Sequence, residues 1–503
     1  MDWTKMKSHN ILQPVLILIF ILLVSGPGHG FDLKKKVLKE KLSNGITVLL
    51  LERHLSPTVS LYIRYRVGAV DEEKGESGAA HLLEHMMFKG TTSIGSNDYE
   101  AEKKLLDEIE KTGQRLDLEK QKGKNGDSRI LEHLSAKLKA LQNEHKSYFI
   151  PNEIDRLYTE NGGLDMNAST GQDFTAYHVS LPANKIELWA RIESDRLLHP
   201  VFREFYTERD VVMEERRQRV ETDPDGKLYE EFMNAAYRTH PYGRPIVGWT
   251  DDLMNLSPNA LRKIMQRYKA PQNIVIAVVG DIKPETTLPL IEKYFGKIPA
   301  GEQADSAIAA EPQQMEERRI DVKFDANPSM IIGFHKPNTP SKDDYVFDVL
   351  EAVLTKGRTS RLYNKLVTNM QIAQSVSAVN GLPASRFPNL FAIFAQPRHP
   401  HTNAELEEKI QQEIDFLKKQ PIPDDELIKA KNNIKMTYIQ SLDSNSELAS
   451  ILSYYEALLG NYQYFSDYLD HIDQVTVDDI LKAANIYLNK NNRTTAFLNK
   501  IKE

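Results

Sequence analysis

His81-Leu82-Leu83-Glu84-His85 places two imidazoles and a carboxylate within five residues. On a helix each residue turns about 100°, so His81 and His85 project about 40° apart and Glu84 about 60° from His81. All three share one face, and the two rings can meet a single ion. This is the spacing at which two histidines bind zinc while a carboxylate between them reaches the attacking water. The competing reading is a helix whose histidines are merely packed or exposed, and a third ligand decides between the two.

A catalytic zinc takes three protein ligands and leaves one position open. The stretch Glu208-Arg209-Asp210-Val211-Val212-Met213-Glu214-Glu215-Arg216-Arg217 is helical in pattern and ends before Asp223-Pro224-Asp225-Gly226. Glu208 and Glu215 stand two turns apart, within about 20° on one face, whereas Glu214 points about 120° away from Glu208. We assign Glu215 to the metal and Glu208 to a supporting place beside it. An acidic helix on its own would read as a solvated face; the upstream motif reverses that. The chain contains no Cys, which excludes disulfides, a thiol nucleophile and iron–sulfur clusters and leaves His, Asp and Glu as donors.

The elements that must carry these residues are legible in outline. Gly45 to Leu51, Val59 to Val67, Phe174 to Leu181 and Asn273 to Gly280 read as strands, the last so apolar that both its faces should be buried. Ser77 to Phe88 reads as the helix bearing the motif. Residues 102–147 are rich in Lys, Glu, Asp and Leu with a Gly-Lys-Asn-Gly break at 123–126, the pattern of two charged helices in a solvated hairpin. Residues 299–319 read as a linker. An internal echo links 81–90 (HLLEHMMFKG) to 348–357 (DVLEAVLTKG), where Asp348 and Ala352 replace the two histidines. It points to a duplicated unit of roughly 200 residues.

The motif, Asn161-Gly162-Gly163, Asn167-Ala168-Ser169-Thr170, Phe174-Thr175-Ala176-Tyr177, the ERDVVMEE helix, His240-Pro241-Tyr242-Gly243-Arg244-Pro245 and Val278-Val279-Gly280-Asp281 together resemble the pitrilysin/insulinase family of inverzincin metallopeptidases. The short two-half members, of the kind seen in mitochondrial processing peptidase subunits and bacterial heterodimeric relatives, are the nearest in pattern. The resemblance implies an α+β fold of two tandem homologous halves, each a mostly antiparallel sheet covered by helices. It implies a zinc-bearing half at 31–298, a half without the zinc motif at 320–503, and one Zn2+ per chain held by His81, His85 and Glu215. Glu84 would be the general base and Glu208 an assisting glutamate. Asn167, Ala168, Ser169 and Thr170 would form a sheet edge on which an extended peptide lies as an added strand.

Two departures matter. His85 and Glu215 are 130 positions apart, against roughly 75–80 in the family's usual motif, and the hairpin at 102–147 accounts for the difference. Family members also carry an Arg and a Tyr seven positions apart in the second half, which donate to the developing oxyanion; the aligned residues here are Val367 and Gln374. Losing one such donor costs about 10²–10³ in rate. The expectation is a chain that supplies zinc to a homologous partner carrying Arg and Tyr. The alternatives are a non-catalytic peptide-binding scaffold, or a self-sufficient homodimer using Arg361 or Tyr363.

Lys5 and Lys7 precede an apolar block, Ile11 to Val24, and then small residues, the layout of a signal peptide over 1–30. Export to the periplasm without stable membrane insertion follows, with an uncleaved membrane anchor as the alternative. Acidic residues outnumber basic ones, 71 to 64, which argues against a nucleic-acid partner. His399-Pro400-His401 reads as a surface turn, and Tyr454 to Tyr468 as a packed helix pair. No phosphate-binding loop of the form GxxxxGK[ST] and no GxSxG elbow is present.

Overall fold

Alternating apolar residues build two sheets, and the computed structural model describes them within residues 33–299 and 308–501. The proposed signal peptide lies outside the described residues. The first sheet contains β1 (Val37–Lys41), β2 (Thr47–Glu52), β3 (Thr58–Tyr65), β4 (Leu164–Thr170), β5 (Thr175–Pro182) and β6 (Ile274–Gly280). Its order is β1-β2-β6-β3-β5-β4, antiparallel throughout except for the parallel β2–β6 pair. β6 lies in the interior of the sheet and every residue in it is buried. Gly45, at φ 101°, belongs to the turn before β2 rather than to the strand.

Five helices of this region concern the site: α1 (Ala79–Met86), α2 (Tyr99–Gln121), α3 (Ser128–His145), α4 (Phe205–Arg216) and α5 (Pro224–Ala236). The motif helix is shorter at both ends than its sequence pattern. The hairpin of α2 and α3 corrects the expectation of a solvated insertion. Its outer faces are charged, but Leu105, Ile109, Leu116, Leu134 and Leu138 form a stripe that joins the main core. At its base Glu102, fully buried, accepts from Arg203 Nε at 2.8 Å and pairs with His145 Nε2 at 2.7 Å. Gly113 lies so close to the Tyr206 ring that a Cβ there would fall 2.0 Å from Tyr206 Cζ.

The second sheet contains β7 (Arg318–Phe324), β8 (Ser329–Lys336), β9 (Ala373–Leu382), β10 (Asn389–Pro397) and β11 (Arg493–Lys500), in the order β7-β11-β8-β10-β9. Only the β7–β11 pair is parallel. The mixed, mostly antiparallel two-sheet architecture is the one expected. Two further helices, α6 (Lys342–Thr355) and α7 (Asn445–Leu459), belong to this part of the chain.

Each sheet is covered in part by a helix from the other part of the chain. Leu448, Ala449 and Leu452 of α7 pack on Leu49, Leu51, Val275 and Val279 of the first sheet. Leu228, Phe232 and Met233 of α5 pack on Ile331, Ala392 and Leu498 of the second. Polar contacts follow the same seam: Arg386 forks onto Asp71 at 2.9 and 3.1 Å, and Asp173 accepts the backbone N–H groups of Ser385 and Arg386. Among the described residues no helix is long and apolar enough to cross a membrane.

Candidate metal centre

The motif helix α1 forms because Ala79, Ala80, Leu82, Leu83 and Met86 drive its inner face into the core. Gly78, at φ 89°, precedes it and has no side chain with which to cap it. Glu72 fills that place: its carboxylate accepts the N–H of Ala80 at 2.8 Å and of Gly78 at 3.1 Å. Otherwise those groups would be orphaned at the helix start. The helix that carries Glu208 and Glu215, α4, is clamped from two sides. Arg209 makes a bidentate contact with Asp117 of α2 at 2.8 and 2.9 Å, and Arg216 makes one with Glu230 of α5 at 2.8 and 3.2 Å.

These supports bring His81, His85 and Glu215 together. Glu215 Oε1 lies 3.7 Å from His81 Nε2, and Oε2 lies 3.6 Å from His85 Nε2. All three ligand atoms fall within 4.8 Å of one another, and the rings stand at 79° with centroids 4.7 Å apart. With metal–ligand bonds of about 2.0–2.2 Å, ligand atoms on a tetrahedron stand about 3.4 Å apart. The donor set and its spacing therefore fit a zinc ion with one position open. Glu214, by contrast, is exposed and paired with Arg217 and Gln218.

The two imidazoles are not equivalent. Burial, with the charges of His85 and Arg219, pulls His81 down to about 3, so it stays neutral and ready to coordinate; its Nδ1 is buried with no hydrogen-bond partner among the described residues. Burial works against a proton on His85 too, but Glu208 outweighs it through a 2.9 Å contact at Nδ1 and raises His85 above its ordinary value. Glu208 is held in turn by Lys89 at 2.6 Å. Burial opposes its charge, yet His85 and Lys89 together bring Glu208 down to about 2. A ligand histidine whose second nitrogen is anchored on a carboxylate is fixed in tautomer and orientation. Lys89 escaped the sequence reading, although it follows His85 by only four residues, just past the end of α1.

Glu84 projects beside the cluster, and its Oε2 accepts the Thr170 hydroxyl at 2.5 Å. Burial pushes its carboxyl above the usual range against that bond. Thr170 ends β4, the outermost strand of its sheet. Side chains alternate along β4, with Asn167 and Ser169 exposed and Ala168 and Thr170 half-buried. Thr170 therefore reaches the motif helix, while Asn167 and Ser169 face solvent. In the second sheet's region Val367 packs against the second core and Gln374 is exposed on β9. Arg361 is engaged by Glu413 at 2.9 Å and Glu426 at 2.6 Å.

Comparison with known proteins decides the family. The model for "Insulinase (Peptidase family M16)" matches residues 47–121 and 111–249, and that for "Peptidase M16 inactive domain" matches 255–434. The chain belongs to peptidase family M16. An M16 relative named zinc protease PqqE, from Helicobacter pylori, is 28% identical over 98% of this chain and 99% of its own length. A solved protease structure from Helicobacter pylori superposes with a TM-score of 0.76 at 26% identity, covering 92% of this chain and 99% of that one. The periplasmic protease PqqL from Escherichia coli shares the fold, with a TM-score of 0.68 at 17% identity over 92% of this chain and 48% of its own. The internal echo of the sequence is placed accordingly: Asp348 and Glu351 lie on α6, the helix that follows β8. There they serve structure, Asp348 accepting from Asn380 and Tyr468 and Glu351 from the Asn380 backbone.

Proposed function

We propose that this chain is a zinc-dependent endopeptidase subunit that hydrolyses peptides or unfolded polypeptides in the periplasm, with the missing Arg and Tyr supplied by a homologous partner. The observation that carries the reading is the convergence of His81, His85 and Glu215 with Glu84 at their side. The relatives' naming as zinc proteases supports it. Zinc bound there supplies Lewis acidity, polarising a carbonyl and acidifying water.

The chain's own groups supply the rest. β4 is the outermost strand of its sheet, so a substrate laid along Asn167 to Thr170 is recognised through its main chain, the Asn167 side chain giving up the Ala168 N–H that it accepts at 2.9 Å. Glu84, with one oxygen occupied by Thr170, has the other to take a proton from the attacking water and deliver it to the leaving amine. Glu208 and Lys89 keep His85 oriented. Val367 and Gln374 offer no cationic or phenolic donor to a developing oxyanion, which supports the division of labour between two chains.

The experiment is to purify the chain alone and with a homologue that carries the Arg/Tyr pair, and to measure zinc content and peptide cleavage. One zinc per chain, lost in His85→Ala, and cleavage that appears on mixing and disappears in Glu84→Gln with zinc retained are the expected results. Full cleavage by the isolated chain would remove the need for a partner. Zinc without cleavage in either preparation would favour the peptide-binding scaffold.

A further inference from the structure

Glu215 has a second suitor. Arg219 Nη1 stands 3.0 Å from Glu215 Oε1, the same oxygen that faces His81 Nε2. The guanidinium is 70% exposed, whereas the carboxylate is 18% exposed. Arg219 belongs to a wider, π-helical turn, Arg217–Glu221, that continues α4 and closes with the Thr222 N–H bonded to the Arg217 carbonyl at 2.9 Å. Such π-helical turns are rare and occur frequently at functional sites. The backbone there is held by contact: a Cβ on Gly226 would lie 1.8 Å from the Arg219 carbonyl oxygen, so only glycine permits α5 to approach this turn.

We infer that Arg219 is the resident counter-cation of Glu215: it holds the ligand carboxylate in place before metal arrives and weakens the grip on zinc once metal has bound. A guanidinium and a metal ion gathered on one carboxylate repel each other, so each weakens the other's hold on Glu215. An exposed ion pair is a weak one, so the competition is modest: Arg219 opposes the metal's charge at Glu215 without closing the site to it. The consequence is a site that is assembled when empty and exchanges its metal more readily than the ligand set alone would allow.

The same helix end holds its own control. Arg217 pairs with Glu214 at 2.7 Å, is 52% exposed and carries the same charge, but touches no ligand. Zinc affinity and release rate are measured on the purified full chain by competition with a chromogenic chelator, for wild type, Arg219→Gln, Arg219→Lys and Arg217→Gln. Arg219→Gln should bind zinc about three- to fivefold more tightly and release it more slowly, since a competing cation is gone. Arg219→Lys should fall between it and wild type, and Arg217→Gln should stay within about twofold of wild type. Equal affinity in Arg219→Gln and wild type overturns the inference, and so does equal tightening by Arg217→Gln. It rests on the ligand set proposed above. A wild-type chain that binds no stoichiometric zinc overturns both readings, while normal zinc binding with an indifferent Arg219→Gln overturns this one alone.

Discussion

Thr170 gives its only hydroxyl proton to one oxygen of Glu84, and in the proposed mechanism it thereby fixes which oxygen is left for water. Because Thr170 also ends the strand proposed to receive substrate, pairing of a peptide with β4 would stiffen the support of the base. Thr170→Val keeps the shape and removes the donor; kcat should fall about ten- to a hundredfold, the cost of a base misplaced by a fraction of an ångström, with KM little changed. Thr170→Ser should restore most of it, and steady-state kinetics on one peptide checks both. Glu208→Gln leaves His85 Nδ1 with a weaker, uncharged acceptor. Zinc affinity should drop about 10–100-fold, as for other partners of metal-ligating histidines, measured by chelator titration. At this scale the sequence was readable where one helix carries the whole pattern: three groups on α1, two on α4. The Thr170–Glu84 bond joins residues 86 positions apart, and no local periodicity announces it.

The hairpin of α2 and α3 shows how an element can be read correctly and its role missed. Its two helices and the break between them follow from composition, but charge alone suggested a solvated appendage. The apolar stripe at Leu105, Ile109 and Leu116 and the Asp117–Arg209 fork make it a buttress of α4, which carries Glu208 and Glu215. Glu102 anchors its base, and although burial opposes the charge, His145 and Arg203 bring its carboxyl down to about 2. A depressed carboxyl contributes stability that is present above its ordinary value of about 4.5 and lost as pH falls through about 2. Acid unfolding followed by circular dichroism should therefore show a steep loss between those limits in the wild type. In Glu102→Gln that slope should flatten, and the chain should be less stable at pH 7 by about 3–5 kcal/mol, since Arg203 is left buried without its counter-ion.

For the whole molecule, the exchange of covering helices predicts that the two sheets unfold as one cooperative body. α7 closes the outer face of the first sheet and α5 that of the second, and α5 begins just beyond the α4 ligand helix. Leu452, fully buried against the first sheet, tests the coupling. Leu452→Ala should cost about 2–5 kcal/mol, and hydrogen exchange should quicken in β2 and β6, far away along the chain. Exchange that quickens only in residues 318–501 would contradict that coupling.

Residue types and their spacing were enough to pick out the candidate metal ligands, the two helices that carry them and the absence of any thiol site. Those features are local: helical periodicity places side chains on a common face whatever surrounds them. Three things needed the folded chain, namely the meeting of α1 with α4 across 130 residues, the Lys89 and Thr170 supports, and the reciprocal cover of the sheets. Each joins segments remote in sequence, and such contacts are selected by shape and burial in the packed interior, which no window of the chain contains.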